Sequence, residues 1–161
     1  MTNIWPHDDT ESLITFYGDP RLEGFQQQHL VYCVPPWRMV LSWEPSHLVP
    51  RFQIHAKCKS ALDRVFAAVW KACGESQDRV EEIGLHLWGG AYNYRPIRGS
   101  SRLSCHAFGA AIDLDPDHNP MGHSRGRMPA DVVAAFKAEG AFWGGDFHSR
   151  LDPMHFQFAH E

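Results

Sequence analysis

Apolar residues recur along this chain with two periods, and the changes of period mark out its elements. Between Ser60 and Gly74, the residues Ala61, Leu62, Val65, Phe66, Val69 and Trp70 return at intervals of three and four, which places them on one face of an α-helix. Ser60 with Asp63 three residues on predicts a capping box at or near its start, and the helix is expected to end near Gly74 after about four turns. The stripe, Trp70 included, is expected to face a core. Over 83–88 the pattern alternates, with Ile83, Leu85 and Leu87 opposed to His86 and Trp88, as in a half-buried strand. Residues 110–115 alternate in the same way, setting Ile112 and Leu114 against Ala111, Asp113 and Asp115. Residues 155–158 set Phe156 and Phe158 against His155 and Gln157.

Two further strands, 30–34 and 38–43, are predicted as a loose hairpin around Pro35 and Pro36, which exclude both helix and central ladder pairing. Pro129 predicts the start of a short helix carrying Val132, Val133 and Phe136, and Gly140 its end. The first 30 residues show turn signals at Gly18, Asp19 and Pro20 and little periodicity. Residues 1–50 are therefore expected to wrap a core whose catalytic part is 83–158. Strands and helices mix without βαβ alternation, which predicts an α+β fold: a single compact domain, 1–161, with a mostly antiparallel sheet and flanking helices.

Composition narrows the function. A chain of 161 residues, 43% hydrophobic and 21% charged, suits one folded domain. A net charge of −4 with scattered Lys and Arg gives no basic stripe, so no nucleic-acid partner is expected. No apolar run approaches the roughly 20 residues of a bilayer span, so no membrane insertion is expected. The stretch from Met1 to Asp9 has neither a basic nor an apolar signal-peptide region, so no Sec signal is read. The four cysteines lack paired spacing and are expected to be reduced and buried. Nothing predicts more than a monomer. Asp115, Asp117 and Asn119 lack the glycine and glutamate of an EF-hand loop and predict a turn.

The chemistry concentrates in Ser104-Cys-His-Ala-Phe-Gly-Ala-Ala-Ile-Asp113 and Asp152-Pro-Met-His155. If the 110–115 and 155–158 strands share a sheet, Asp113 and His155 share its cleft-facing side. His106 enters the first of these strands, and Gly109 allows the backbone to bend so that the imidazole reaches the same point. His106, Asp113 and His155 are thus a candidate set of three ligands for one zinc ion, leaving a fourth position open. Zinc would lower the pKa of a water there to about 7. Asp152 is the candidate general acid/base. Arg95 is the candidate for holding an oxyanion or a substrate carboxylate, and Ser104 could hydrogen-bond the substrate or a ligand.

Ser104, His106, Gly109, Ala111 and Asp113 resemble the Ser-x-His-x-x-Gly-x-Ala-x-Asp signature of the D-alanyl-D-alanine carboxypeptidase and L-alanyl-D-glutamate endopeptidase family of zinc peptidases. Asp152-Pro-Met-His155-Phe156 resembles that family's second signature, and the resemblance covers about 83–158. It implies a compact α+β fold of the hedgehog-like and D,D-peptidase-like kind. It also implies zinc on His106, Asp113 and His155, proton transfer by Asp152, and substrate contact by Arg95, with Arg98 in the same loop as the other candidate. An Asp rather than a Glu at position 152 is more similar to the bacteriophage endolysin branch. The implied activity is then an L-alanyl-D-glutamate endopeptidase on peptidoglycan stem peptides, made in the cytoplasm and acting on the cell wall. A D,D-carboxypeptidase or dipeptidase, and a non-catalytic zinc-binding module of the same fold, are the alternatives.

Overall fold

A computed structural model describes residues 4–124 and 126–161. Its centre is a sheet of six strands in the order β3-β2-β5-β6-β8-β7, made of β2 (Val40–Leu41), β3 (Glu44–Leu48), β5 (Leu87–Gly90), β6 (Ala111–Leu114), β7 (Phe142–Trp143) and β8 (His155–Gln157). Its described pairs are antiparallel except β2 with β5. A separate antiparallel ribbon joins β1 (Leu30–Cys33) to β4 (Phe52–His55). The expected α+β domain with a mostly antiparallel sheet is what forms.

One face of the sheet is the core. Ile112, Leu114, Phe156 and Phe158, the positions that the strand alternation sends to one side, are fully buried. Against them pack α3 (Ala56–Ala72) and α5 (Ala130–Ala138). Phe136 of α5 stacks on Phe156 with ring centroids 3.9 Å apart, fixing this helix to the strand that carries His155. Leu62, Val65, Phe66 and Val69 of α3 are buried as the helical period predicts.

Four expectations about the elements are corrected. The strands near 30–34 and 38–43 form no hairpin: β1 pairs with β4, whereas β2 pairs with β3 and β5. Past the two prolines, buried Trp37 donates its indole N–H to the Leu85 carbonyl at 3.0 Å, and Met39 is also buried. These anchors carry the chain to the other sheet. Helix α3 begins four residues before Ser60, and Asp63 is occupied by an ion pair with Lys59 at 2.5 Å. Residues 83–86 are turn, not strand, because α4 (Gln77–Glu82), capped by Ser76, ends at Ile83. Finally, the aperiodic start contains α1 (Thr10–Tyr17) and α2 (Phe25–His29). Asp9 caps α1 by accepting from the Ser12 N–H at 2.8 Å, and α1 buries Leu13 and Tyr17, four residues apart. The Tyr17 hydroxyl donates to the Phe158 carbonyl at 2.5 Å.

The actual cap of α3 is His55, which is 1% exposed. Its Nδ1 accepts from the Lys57 N–H at 3.1 Å, and its Nε2–H donates to the Tyr17 carbonyl at 2.9 Å. Acceptance at Nδ1 requires the neutral ring, and burial lowers its pKa from 6.5 to about 4. The unfolded chain therefore takes up this proton more readily than the folded one. Stability from His55 is whole above pH 6.5 and is lost as pH falls towards 4, by about 3 kcal/mol in all. In His55→Asn, which can still cap but does not titrate, urea unfolding between pH 6.5 and 4 should show a correspondingly shallower decline.

Candidate functional site

Strand register brings two of the candidate residues together. In the antiparallel β6–β8 pair, Asp113 lies opposite His155, with Ile112 opposite Phe156 and Ala111 opposite Gln157. Cross-strand partners project to the same side of a sheet, so the partners that bury Ile112 and Phe156 turn Asp113 and His155 to the other face.

His106 arrives by a different device. It lies in a 3-10 turn, Cys105–Phe108, whose N-cap is Ser104. The Ser104 hydroxyl accepts from the His106 N–H at 3.2 Å, and Ser104 is buried. That hydroxyl is engaged in shaping the turn. Gly109 ends the turn at φ 68, in the left-handed region. A Cβ there would lie 2.6 Å from Leu30 Cδ2 and 2.9 Å from the backbone nitrogen of His55. Gly109→Ala should therefore destabilise the protein by at least about 1–3 kcal/mol from backbone strain alone. The close approach to the His55 backbone adds to this, and chemical denaturation measures the sum.

The three donors converge. His106 Nε2 lies 3.2 Å from His155 Nδ1 and 3.2 Å from Asp113 Oδ2, and His155 Nδ1 lies 3.0 Å from Asp113 Oδ1. Among the described residues this is the group able to hold a metal ion. The outer ring nitrogens are engaged: His106 Nδ1–H donates to the Ala91 carbonyl at 2.7 Å, and His155 Nε2–H donates to Gln157 Oε1 at 2.9 Å. Each imidazole thus turns a lone pair inward, towards the other and towards a carboxylate. Such a cluster of acceptors needs a cation or a proton at its centre. Tetrahedral zinc with bonds of 2.0–2.2 Å spaces its ligand atoms by about 3.3–3.6 Å, close to the separations found. Two imidazoles and a carboxylate also suit zinc chemically.

Without a metal, a proton does the same work. Burial raises the Asp113 carboxyl, but His106 and His155 outweigh it and hold the group well below the usual carboxylate range. Burial lowers the His155 imidazole, but the hydrogen bond and charge of Asp113 outweigh it and hold the group above its ordinary value. Metal and proton therefore compete for His155. Below its raised pKa, zinc affinity should increase about tenfold per pH unit as one proton is released, which calorimetry in buffers of differing ionisation enthalpy would detect.

Asp152 is buried, and its Oδ1 has no hydrogen-bond partner among the described residues. Backbone bonds hold its position: the Asp152 N–H donates to the Gly144 carbonyl at 2.9 Å, and the His155 N–H donates to the Asp152 carbonyl at 3.0 Å. Burial pushes the carboxyl above its ordinary value; His155, His106 and Arg95 pull it down, Asp113 adds to the rise, and the balance is upward. A buried carboxyl beside the cluster can accept or release a proton.

The two arginines are placed differently. Pro96 and Leu103 bridge the ends of a small hairpin. Arg95 is half-buried at its base, where the Ser104 N–H donates to its carbonyl at 3.2 Å, and its charge reaches Asp152. Arg98 is exposed near the tip. Gln157 and the Ala91 carbonyl, which orient the two imidazoles, carry no sequence expectation. Gln157 was detectable in principle, since it lies two residues from His155 on one strand face, whereas a backbone carbonyl leaves no residue-type signal.

No curated protein and no solved structure matches this chain. Residues 98–158, which contain His106, Asp113, Asp152 and His155, match the family model described as D-alanyl-D-alanine carboxypeptidase.

Proposed function

We propose that the protein is a zinc-dependent peptidase of peptidoglycan stem peptides, cleaving the L-alanyl-D-glutamate bond. The observation that carries this reading is the convergence of His106, Asp113 and His155, with donor atoms 3.0–3.2 Å apart, beside the buried carboxyl of Asp152, whose Oδ1 has no partner among the described residues. His106, Asp113 and His155 would hold the zinc, which supplies Lewis acidity towards a carbonyl oxygen and lowers the pKa of water.

The remaining work falls to the chain. Asp152 removes the proton from the attacking water as its oxygen bonds to the scissile carbonyl carbon. It then delivers that proton to the amine nitrogen as the C–N bond breaks. Burial raises its carboxyl above the ordinary carboxylate value, which makes it a stronger proton acceptor than a solvent-exposed Asp. Arg95 provides a fixed positive charge for a substrate carboxylate or the developing oxyanion. Exposed Tyr94 and the 96–103 hairpin flank Arg95 in the chain and are the candidates for contact with the stem peptide.

The description of the matching family favours a second reading, a D,D-carboxypeptidase using the same centre on a C-terminal D-alanine. Digestion of purified peptidoglycan by the zinc-loaded protein, followed by mass spectrometry, tests both. New D-glutamate amino termini support the endopeptidase, and released D-alanine supports the carboxypeptidase. Bound zinc with intact peptidoglycan would reject both in favour of a non-catalytic zinc-binding module.

A further inference from the structure

We infer that Asp8, some 90 residues before the matched segment, is a positioning residue for the metal ligand His155 and acts through Gln157. The inference rests on the metal reading above, but not on any particular substrate.

A histidine that turns one nitrogen to a metal must carry its proton on the other, and the partner of that second nitrogen decides the tautomer. For His155 the partner is the side-chain amide of Gln157. An amide has two faces: its oxygen accepts from Nε2–H, whereas its NH2 would donate to Nε2 and drive the proton onto Nδ1, the nitrogen needed by the metal. Something must therefore fix which way the amide points. Gln157 is 2% exposed, so bulk water does not.

Asp8 does. Gln157 Nε2 donates to Asp8 Oδ2 at 3.1 Å and, at longer range, to the Ala159 carbonyl at 3.4 Å. With its NH2 drawn to these acceptors, the amide must present Oε1 to His155 at 2.9 Å. The chain of bonds thus leaves His155 Nδ1 bare, 3.2 Å from His106 Nε2 and 3.0 Å from Asp113 Oδ1.

The carboxylate of Asp8 is itself well held. The Asp8 N–H donates to the His160 carbonyl at 2.8 Å, continuing a parallel bridge between His7 and His160. The thiol of Cys105, the neighbour of His106, lies 3.5 Å from Asp8 Oδ1. Arg102, near the end of the 96–103 hairpin, donates to the Asp8 carbonyl and has Nη1 3.9 Å from Oδ1. One N-terminal carboxylate is joined to the strand of His155, the turn of His106 and the candidate substrate hairpin.

Four proteins test this: the parent, Asp8→Ala, Asp8→Asn and Gln157→Met. Zinc affinity is measured by competition with a chromophoric chelator, and the solvent exchange of the His155 Nε2 proton is followed by nitrogen-15 NMR of the zinc-loaded proteins. Asp8→Ala and Gln157→Met should bind zinc about 10–100-fold more weakly and expose that proton to exchange. Asp8→Asn, whose carbonyl oxygen still accepts from Gln157, should stay close to the parent. Gln157→Met retains the buried volume, so it remains informative if Asp8→Ala does not fold. Parent-like zinc affinity with a protected proton in Gln157→Met overturns the inference. So does a loss in Asp8→Asn as deep as in a folded Asp8→Ala, since charge rather than amide orientation would then be responsible. A parent that binds zinc but leaves peptidoglycan intact removes the proposed function and leaves this inference standing.

Discussion

Asp152→Asn is expected to lower peptide hydrolysis by about 10²–10⁴-fold while zinc stays bound. The two side chains have nearly the same shape, and the backbone bonds that place residue 152, to the Gly144 carbonyl and from the His155 N–H, do not involve its side chain. What disappears is the ability to take a proton and return it. The substitution should not weaken the fold, because Oδ1 has no partner to lose among the described residues and burial already disfavours the charged carboxylate. A carboxyl with a raised folded pKa binds its proton more tightly when folded, so stability falls as pH rises from the unfolded value of about 3.9 through the folded one. In chelator, urea unfolding of the parent should show this loss and that of Asp152→Asn should not. Stem-peptide cleavage by Asp152→Asn at the parent's rate would remove Asp152 from proton transfer.

Strand phase made the centre of this site legible from sequence. Placing Phe156 and Phe158 in the core sends His155 to the opposite face, and Ile112 with Leu114 does the same for Asp113. The turn holding His106 was half legible: Gly109 signals a bend, but the Ser104 cap that aims the ring is visible only in the folded backbone. Elements stabilised by distant contacts were hidden. Helix α1 has a short stripe, Leu13 and Tyr17, whose partners such as Phe158 lie some 140 residues away. His55 caps α3 because burial keeps its ring neutral, which residue-type preferences for caps do not capture. Asp8 escaped for a related reason: a hydrogen bond spanning 149 residues leaves no local pattern.

Asp113→Asn should have the other large effect, on both metal and fold. Removing the anionic ligand should weaken zinc binding by more than about 100-fold, beyond the range for residues that merely orient a ligand. The metal-free protein should lose stability in a pH-dependent way. In the parent, the raised pKa of His155 means that its proton stabilises the fold below about pH 6.5, and that this stability is lost as pH rises through the folded pKa. In Asp113→Asn the same buried ring has lost the ion pair that held its proton, so charging it opposes folding. Breaking a buried pair from one side costs about 3–5 kcal/mol. The deficit of Asp113→Asn should approach that figure at pH 5.5, where the parent's pair is charged, and shrink at a pH above the parent's folded His155 pKa, where the ring is neutral in both proteins. The acid-side loss from His55 is common to both and cancels in the comparison. Urea unfolding in chelator at the two pH values measures the difference. An equal deficit at both would mean that Asp113 supports the fold by shape or hydrogen bonding, and that the metal-free cluster is not held by a proton shared with His155.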